Sequence, residues 1–310
     1  MDTLPPVDVL LVTVTDVEAR TVFGLVKQKY GREPQPCYIG LKTYYDLGTI
    51  GGARTWMVRS EMGSDGPSGS TVIVTEAIEK LSPSAVIMVG IAFGVDAEKQ
   101  SIGDILVSDK LRDYGLQRVG TDAEGRLDII PRGDRVPAAP RLLDRFQDGK
   151  LMWEGPKVEL GLILSGPALV DNIDYRDQLR QFEREAVGGE IEGVGVYSAA
   201  HRHKVDWILV KGICDWADGK KRENKSEWQQ VAAMNAANFV LFVLERGGLA
   251  GSRMPSSTDK LVVDGKIRVS GEDTENITSI DAGGRPTILK PGTVVDVAGK
   301  RAKNITGVKS

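Results

Sequence analysis

Three strand ends in this sequence carry acids, and the types and spacing of those residues suggest acid–base work. Asp215 stands in Gly212-Ile213-Cys214-Asp215-Trp216-Ala217, shortly after the apolar run Trp207 to Val210. Glu190 and Glu192 flank Ile191 in Gly189-Glu190-Ile191-Glu192-Gly193, ahead of a helical pattern from Val194 to His203. Glu18 follows the run Val7-Asp8-Val9-Leu10-Leu11-Val12. In α/β proteins the carboxyl ends of strands border the crevice that binds ligands. Carboxyl groups gathered there can protonate a leaving group, grip hydroxyls or activate water. Each has a plainer reading as well. Asp215 could cap a helix, Glu18 could be a first-turn acid favoured by the helix dipole, and Glu190 could pair with Arg184 or Arg202. Caps and solvated faces do not explain all of them together.

The elements that must position these acids alternate between strand and helix patterns over the first 250 residues, as in an α/β layer fold. Strands are expected at Val7–Val14, Tyr38–Gly48, Ala53–Arg59, Ala85–Val89, Asp104–Val107, Lys157–Leu164 and Trp207–Val210. Helices are expected at Asp16–Lys29, Ser70–Leu81, Tyr175–Glu185, Val194–His203 and Glu227–Arg246, the last capped by Ser226 and stopped by Gly247-Gly248. The character changes after Gly251. Residues 251–310 contain none of the chain's 18 aromatics, are rich in Val, Ile, Thr and Gly, and carry turn signals at Asp264-Gly265, Ala282-Gly283-Gly284 and Pro291-Gly292. Alternation in Lys266-Ile267-Arg268-Val269 and Thr293-Val294-Val295-Asp296-Val297 reads as short strands. Sixty such residues cannot build a conventional core. They must pack on the body, stack as solenoid-like rungs or assemble with copies of themselves; the alternative is a mobile tail.

Composition narrows the function classes. With 310 residues and 41% hydrophobic content the chain can bury a full core. Its net charge of −3 gives no basic field for a nucleic-acid polymer. The charge is uneven, with +3 on residues 251–310 and −6 on the rest. No run approaches the ~18 apolar residues of a membrane span, and Met1 to Pro6 reads as a short lead-in rather than a signal peptide. Cys37 and Cys214 suit unpaired thiols in a reducing cytoplasm, with Cys214 a strand-end core residue rather than a reactive thiol. His201 and His203 stand one residue apart and so on different faces of a helix, which argues against a zinc site or a histidine triad. No cofactor and no metal are expected.

The Glu-x-Glu of Glu190 to Glu192 and the Asp-Trp-Ala-Asp of Asp215 to Asp218 resemble the nucleoside phosphorylase and nucleosidase superfamily. The likeness runs from about Val7 to about Arg246 and is narrower to the methylthioadenosine/S-adenosylhomocysteine nucleosidase branch. It implies a three-layer α/β fold with a mixed central sheet over residues 1–250; the β-rich stretch over 251–310, read from its own residues, would be a small appended extension for assembly or regulation. It also implies hydrolysis of the N-glycosidic bond of a purine nucleoside or nucleotide. On that resemblance Asp215 protonates purine nitrogen 7, Glu192 grips the ribose hydroxyls with help from Glu190, and Glu18 activates the attacking water. Asp218 caps the turn that follows.

Substrate contacts are expected from Ala92 and Phe93 in Gly90-Ile91-Ala92-Phe93-Gly94, where Ile91 replaces a hydroxyl that relatives carry. That loss argues for water over inorganic phosphate. Leu169 stands where relatives place an aromatic against the base, and the backbone near Val170 would read the base edge. The glycine-rich stretch Gly63 to Gly69 offers amides for an anion or is a plain loop. Arg20, Arg59, Lys220, Lys221 and Arg222 could add charge, with Lys220 and Lys221 bordering the pocket. The loop and the Ala-rich helix after it resemble a subgroup of immune effector domains, some of which cleave ATP. The expected partners are a small-molecule substrate and a second copy in a homo-oligomer. A phosphorylase of the same fold and a non-catalytic nucleotide sensor remain open readings.

Overall fold

The structure, a computed structural model, describes residues 7–219 and 225–250 and the backbone of six strands between 261 and 306. The chain divides into two units, Met1–Gly251 and Ser252–Ser310.

The first unit runs β1 (Val9–Thr13), α1 (Asp16–Tyr30), β2 (Gln35–Ile39), β3 (Lys42–Ile50), β4 (Ala53–Arg59), α2 (Ser70–Leu81), β5 (Ala85–Gly94), β6 (Ile105–Asp113), β7 (Gln117–Thr121), β8 (Leu127–Pro131), β9 (Arg135–Pro137), α3 (Pro140–Leu151), β10 (Val158–Ser165), α4 (Ile173–Phe182), β11 (Ala186–Glu190), α5 (Gly193–His203), β12 (Asp206–Asp215) and α6 (Lys225–Glu245). The main sheet is mixed, in the order β11-β10-β6-β12-β5-β1-β4-β3-β2, with β9 on the side of β6. The end of β5 also pairs antiparallel with β11 through Phe93 and Gly94. Strands β5, β12, β6, β10 and β11 therefore close into a ring, and the ends of β5, β11 and β12 meet where it closes.

Side-chain alternation along the central strands produces the layers. Val9 and Leu11 of β1, Ile87 of β5 and Ile208 and Val210 of β12 face a core shared with α1, α3 and α6. Their neighbours Leu10, Val12, Val86, Met88 and Leu209 face the opposite core, built with α2 and α5. Strands buried on both faces read as continuous apolar runs, which is why these were legible in the sequence.

Several expected bounds shift. Tyr38–Gly48 is not one strand but the hairpin β2–β3, because Gly40 adopts a left-handed φ of 62° and turns the chain. Strand β12 runs on to Asp215, so this acid is the last residue of the strand itself. Helix α6 begins at Lys225, which places Ser226 inside the first turn rather than at the cap. Helix α3 gave little signal because only Leu142, Phe146 and Gly149 on it are buried, a narrow apolar stripe. The hairpin β7–β8 is also new.

The second unit contributes β13 (Leu261–Val263), β14 (Lys266–Glu272), β15 (Asn276–Thr278), β16 (Thr287–Leu289), β17 (Val294–Lys300) and β18 (Asn304–Thr306). They pair in parallel as β13–β16, β14–β17 and β15–β18. Each strand meets the one three places later, the pattern of two stacked coils. The turn signals at Asp264-Gly265, Ala282-Gly283-Gly284 and Pro291-Gly292 lie outside the described residues.

Candidate active site

Glu18 is placed by the turn from β1 into α1. Thr15 caps that helix and Glu18 closes the capping box, so the plainer reading of Glu18 is also true. Its carboxylate does more than cap. Oε2 accepts from the backbone N–H of Val14 at 2.7 Å and of Thr15 at 2.8 Å, and Oε1 accepts from Ile91 N at 3.0 Å across the sheet. Three amides thus hold a buried carboxylate in one orientation against β5. Gly90 is needed beside it, since a Cβ there would stand 2.4 Å from Glu18 Oε1.

Glu190 and Glu192 diverge at the junction of β11 and α5. Glu190 turns toward the helix start, where its oxygens accept from Glu192 N at 3.1 Å and Gly193 N at 2.9 and 3.0 Å. Its ion pair is with Lys211, at 3.1 Å, and not with Arg184 or Arg202. Glu192 accepts from Gly63 N at 3.0 Å, and Lys211 Nζ lies 3.6 Å from its Oε2. The glycine-rich stretch therefore brackets this turn. Besides the Gly63 amide, Ser64 Oγ donates to Ile191 O at 3.1 Å and Ser70 Oγ donates to Glu192 O at 2.7 Å. The Gly63 amide is engaged by a carboxylate, which removes it from the anion cradle that is one of the two readings of this stretch.

Lys211 sits on β12 with a side chain 1% exposed, facing three carboxylates. Burial alone would push its pKa down, but Glu190, Glu192 and Glu18 outweigh that and hold it up. One cation cannot neutralise three carboxyl groups. Burial, the largest cause, together with Glu190 and Glu18, raises Glu192 to about 7 against the opposing pull of Lys211 and the Gly63 amide.

Asp215 is re-aimed by a bulge. The register of β12 on β5 slips between Ile213 and Asp215, which brings Asp215 opposite Phe93. Its Oδ1 accepts from Ala217 N at 2.9 Å, and Cys214 Sγ lies 3.3 Å from Oδ2. The turn is tight enough to put Ala217 at a left-handed φ of 52°, an uncommon conformation for a residue with a Cβ. Phe93 is fixed in turn by Gly189, where a Cβ would meet its ring at 2.3 Å.

One cavity gathers Glu18, Ala92, Phe93, Leu169, Val170, Glu190, Glu192 and Asp215, together with Ile91 and Cys214. Leu169 lies at the rim, 64% exposed, while Val170 is buried. Arg20 and Arg59 are elsewhere, lining a separate cavity with Lys42 and Tyr45, and Arg59 pairs with Asp16. Lys220, Lys221 and Arg222 lie outside the described residues.

Sequence reasoning missed Lys211, Met62, Lys225 and Gln229. The last three line the cavity, Lys225 and Gln229 from the start of α6. A signal for Lys211 existed, as a lone charge inside Ile208-Leu209-Val210-Lys211-Gly212-Ile213. Among the described residues, no group of three His, Cys, Asp or Glu is placed to hold a metal ion. No helix of the described residues is long and apolar enough to cross a membrane.

Chemically, the cavity offers a carboxyl at a bulged strand end, a carboxylate held by three amides, and a buried acid whose ionisation falls near neutrality. A family model described as the phosphorylase superfamily matches residues 16–245. A death domain-containing ATP nucleosidase from Amphimedon queenslandica is 31% identical over 259 residues, 76% of this chain and 48% of that protein. The chain thus spans about half the length of that relative. A 5'-methylthioadenosine/S-adenosylhomocysteine nucleosidase from Tolumonas auensis is 24% identical over 208 residues, 64% of this chain and 84% of that protein. The crystal structure of the enzyme of that name from Neisseria meningitidis, in complex with methylthio-immucillin-A, shares the fold with a TM-score of 0.63 at 20% identity. It covers 77% of this chain and 98% of its own.

Proposed function

The chain belongs to the phosphorylase superfamily, and from that premise and the cavity we propose that it hydrolyses the N-glycosidic bond of an adenine nucleoside or nucleotide. The observation that carries this reading is the convergence of Glu18, Glu192 and Asp215, from three distant parts of the chain, on one cavity. Asp215 donates a proton to the leaving base, so that the base departs neutral. Glu192 accepts hydrogen bonds from the ribose hydroxyls, and its charge opposes the positive sugar of the transition state. Glu18 orients and deprotonates the water that attacks the anomeric carbon. Glu190 and Lys211 position Glu192 and the start of α5 rather than touch substrate. Ala92 and Phe93 supply one wall, with Leu169 and Val170 against the base.

Water is favoured over phosphate as the nucleophile. The groups nearest the attack side are the acid Glu18 and the apolar Ile91, and Lys211 is already engaged by carboxylates. An incoming phosphate would meet the negative charge of Glu18, and the hydroxyl in that wall, on Thr15, is already engaged as the cap of α1.

The substrate class narrows to a nucleotide such as ATP on two supports, the A. queenslandica relative and Lys225 at the cavity. In the sequence, Lys220 and Lys221 precede Lys225 by five and four residues. Depletion of ATP by such an enzyme would serve as a defence effector. Cys37 and Cys214 form no disulfide, which fits a cytoplasmic setting.

Incubation with adenosine, methylthioadenosine, S-adenosylhomocysteine, AMP and ATP, followed by chromatography for free adenine, tests the reading. Adenine should appear with a free sugar or sugar phosphate, and added phosphate should not accelerate it. A ribose-1-phosphate product would overturn hydrolysis. Release from nucleosides but not from ATP would overturn the nucleotide assignment alone.

A further inference from the structure

The second unit contains a repeat that its pairing makes visible. Strand β14 lies beside β17 with Lys266 opposite Val294, and β15 lies beside β18 with Asn276 opposite Asn304, a constant spacing of 28 residues. At that spacing Val269 matches Val297, Gly271 matches Gly299, and Asn276-Ile277-Thr278 matches Asn304-Ile305-Thr306. The charges do not repeat; they invert. Arg268 stands opposite Asp296 and Glu272 opposite Lys300. In sequence the inversion continues, since Asp273 and Glu275 are followed 28 residues later by Arg301 and Lys303. The first coil (β13, β14, β15) and the second (β16, β17, β18) are thus alike in backbone, with a spacing of 26 residues at β13–β16, and opposite in charge at the register pairs 268/296 and 272/300.

Such a pair has two open edges. Among the described residues, no strand pairs with the outer edge of either coil. Unpaired strand edges are templates for further pairing, and solenoids usually need about three or more stacked repeats to be stable. We propose that the second coil of one chain stacks on the first coil of another copy, extending the ladder head to tail. The occupant is a second copy because each edge is offered the partner it already accepts within the chain. At the new junction Asp296 and Lys300 would again oppose Arg268 and Glu272, now of a neighbouring copy. A head-to-tail contact of one surface with a different one does not close on itself unless its rotation permits, so the product is an open stack or a ring. The inference concerns assembly and is independent of the reaction proposed above.

Sedimentation velocity of the full chain over a concentration series tests it, using wild type, Arg268→Asp, Asp296→Arg and the double variant. Each single inversion sets like charges together within the chain and at the junction. The double variant restores opposite charges at both. Wild type and the double variant should gain mass with concentration, reaching at least about twice the weight-average mass of either single variant, as expected when one heterologous contact is lost. Raised salt should narrow the gap. Circular dichroism checks that all four fold alike. The proposal is overturned if all four sediment alike. It is also overturned if the double variant stays as small as the single ones, because the loss would then follow from the side chains themselves and not from their pairing.

Discussion

Lys211 Nζ lies 3.1 Å from Glu190 Oε2, with the two side chains 1% and 2% exposed, so the proposed site rests on an ion pair almost wholly removed from water. Replacing one partner of such a pair leaves an uncompensated buried charge. Lys211→Met should therefore lower stability by about 3–5 kcal/mol, read as a reduced urea midpoint in tryptophan fluorescence. Lys211→Arg, which keeps the charge, should lose less. A midpoint unchanged by Lys211→Met would contradict the arrangement.

Asp215→Asn keeps the shape of the strand end but cannot deliver a proton to the base. Base release should fall ~10²–10⁴-fold with the unfolding transition little changed. Near-normal turnover of a natural purine substrate would remove Asp215 from the mechanism.

Glu192 supplies a pH dependence with a defined sign. Its burial raises the folded pKa to about 7, above the ordinary 4.5. If the charged form holds the ribose, kcat/KM should rise as pH increases through about 7, and Glu192→Gln should lack that limb. Stability should move the other way. Between pH 4.5 and 7 the native state keeps a proton that the unfolded chain has lost, so wild-type stability falls with rising pH across that window and levels above it. The Tm of Glu192→Gln relative to wild type should accordingly be more favourable at pH 8 than at pH 5. A constant difference between the two would show that Glu192 titrates normally.

Gly90→Ala tests the placement of Glu18 without touching the acid. The added Cβ would stand 2.4 Å from Glu18 Oε1, so the carboxylate must move. Misplacement on the order of 1 Å near the chemistry can cost ~10²-fold, and the loss should appear in kcat more than in KM. Full activity would mean that the position of Glu18 is not critical.

Lys225→Ala should raise KM for ATP more than for adenosine, and the gap should shrink as ionic strength rises. The double change Lys220→Ala with Lys221→Ala should act in the same direction. Equal effects on both substrates would assign these lysines no part in reading phosphate.

Much of the first unit was legible because the central strands are buried on both faces and leave long apolar runs, as in Val9 to Val12 and Ala85 to Val89. Asp215 was legible because it ends such a run, in β12. What the sequence concealed depended on contacts between distant segments. Glu190 and Glu192 look equivalent as Glu-x-Glu, yet the turn into α5 separates them, and only the fold shows Gly63 and Lys211 dividing their bonds. The bulge at Cys214 leaves no local mark, since it arises from register against β5. Lys225 sits at the cavity because α6 starts two residues earlier than its apolar pattern suggests. In the second unit the strands were readable from alternation, but the inverted charges of its two coils were meaningless until the 28-residue register set them side by side.

The order of the proposed catalytic groups along the chain has a temporal consequence. Glu18 is made early, Glu192 late and Asp215 later still, and the strands β1 and β12 that carry the first and last both flank β5. A ribosome-bound chain, or a fragment cut anywhere before Asp215, holds the proposed water-activating acid without the proposed proton donor and without the complete strand β12. Newly synthesised protein would thus lack the proposed activity until nearly the whole first unit had been translated.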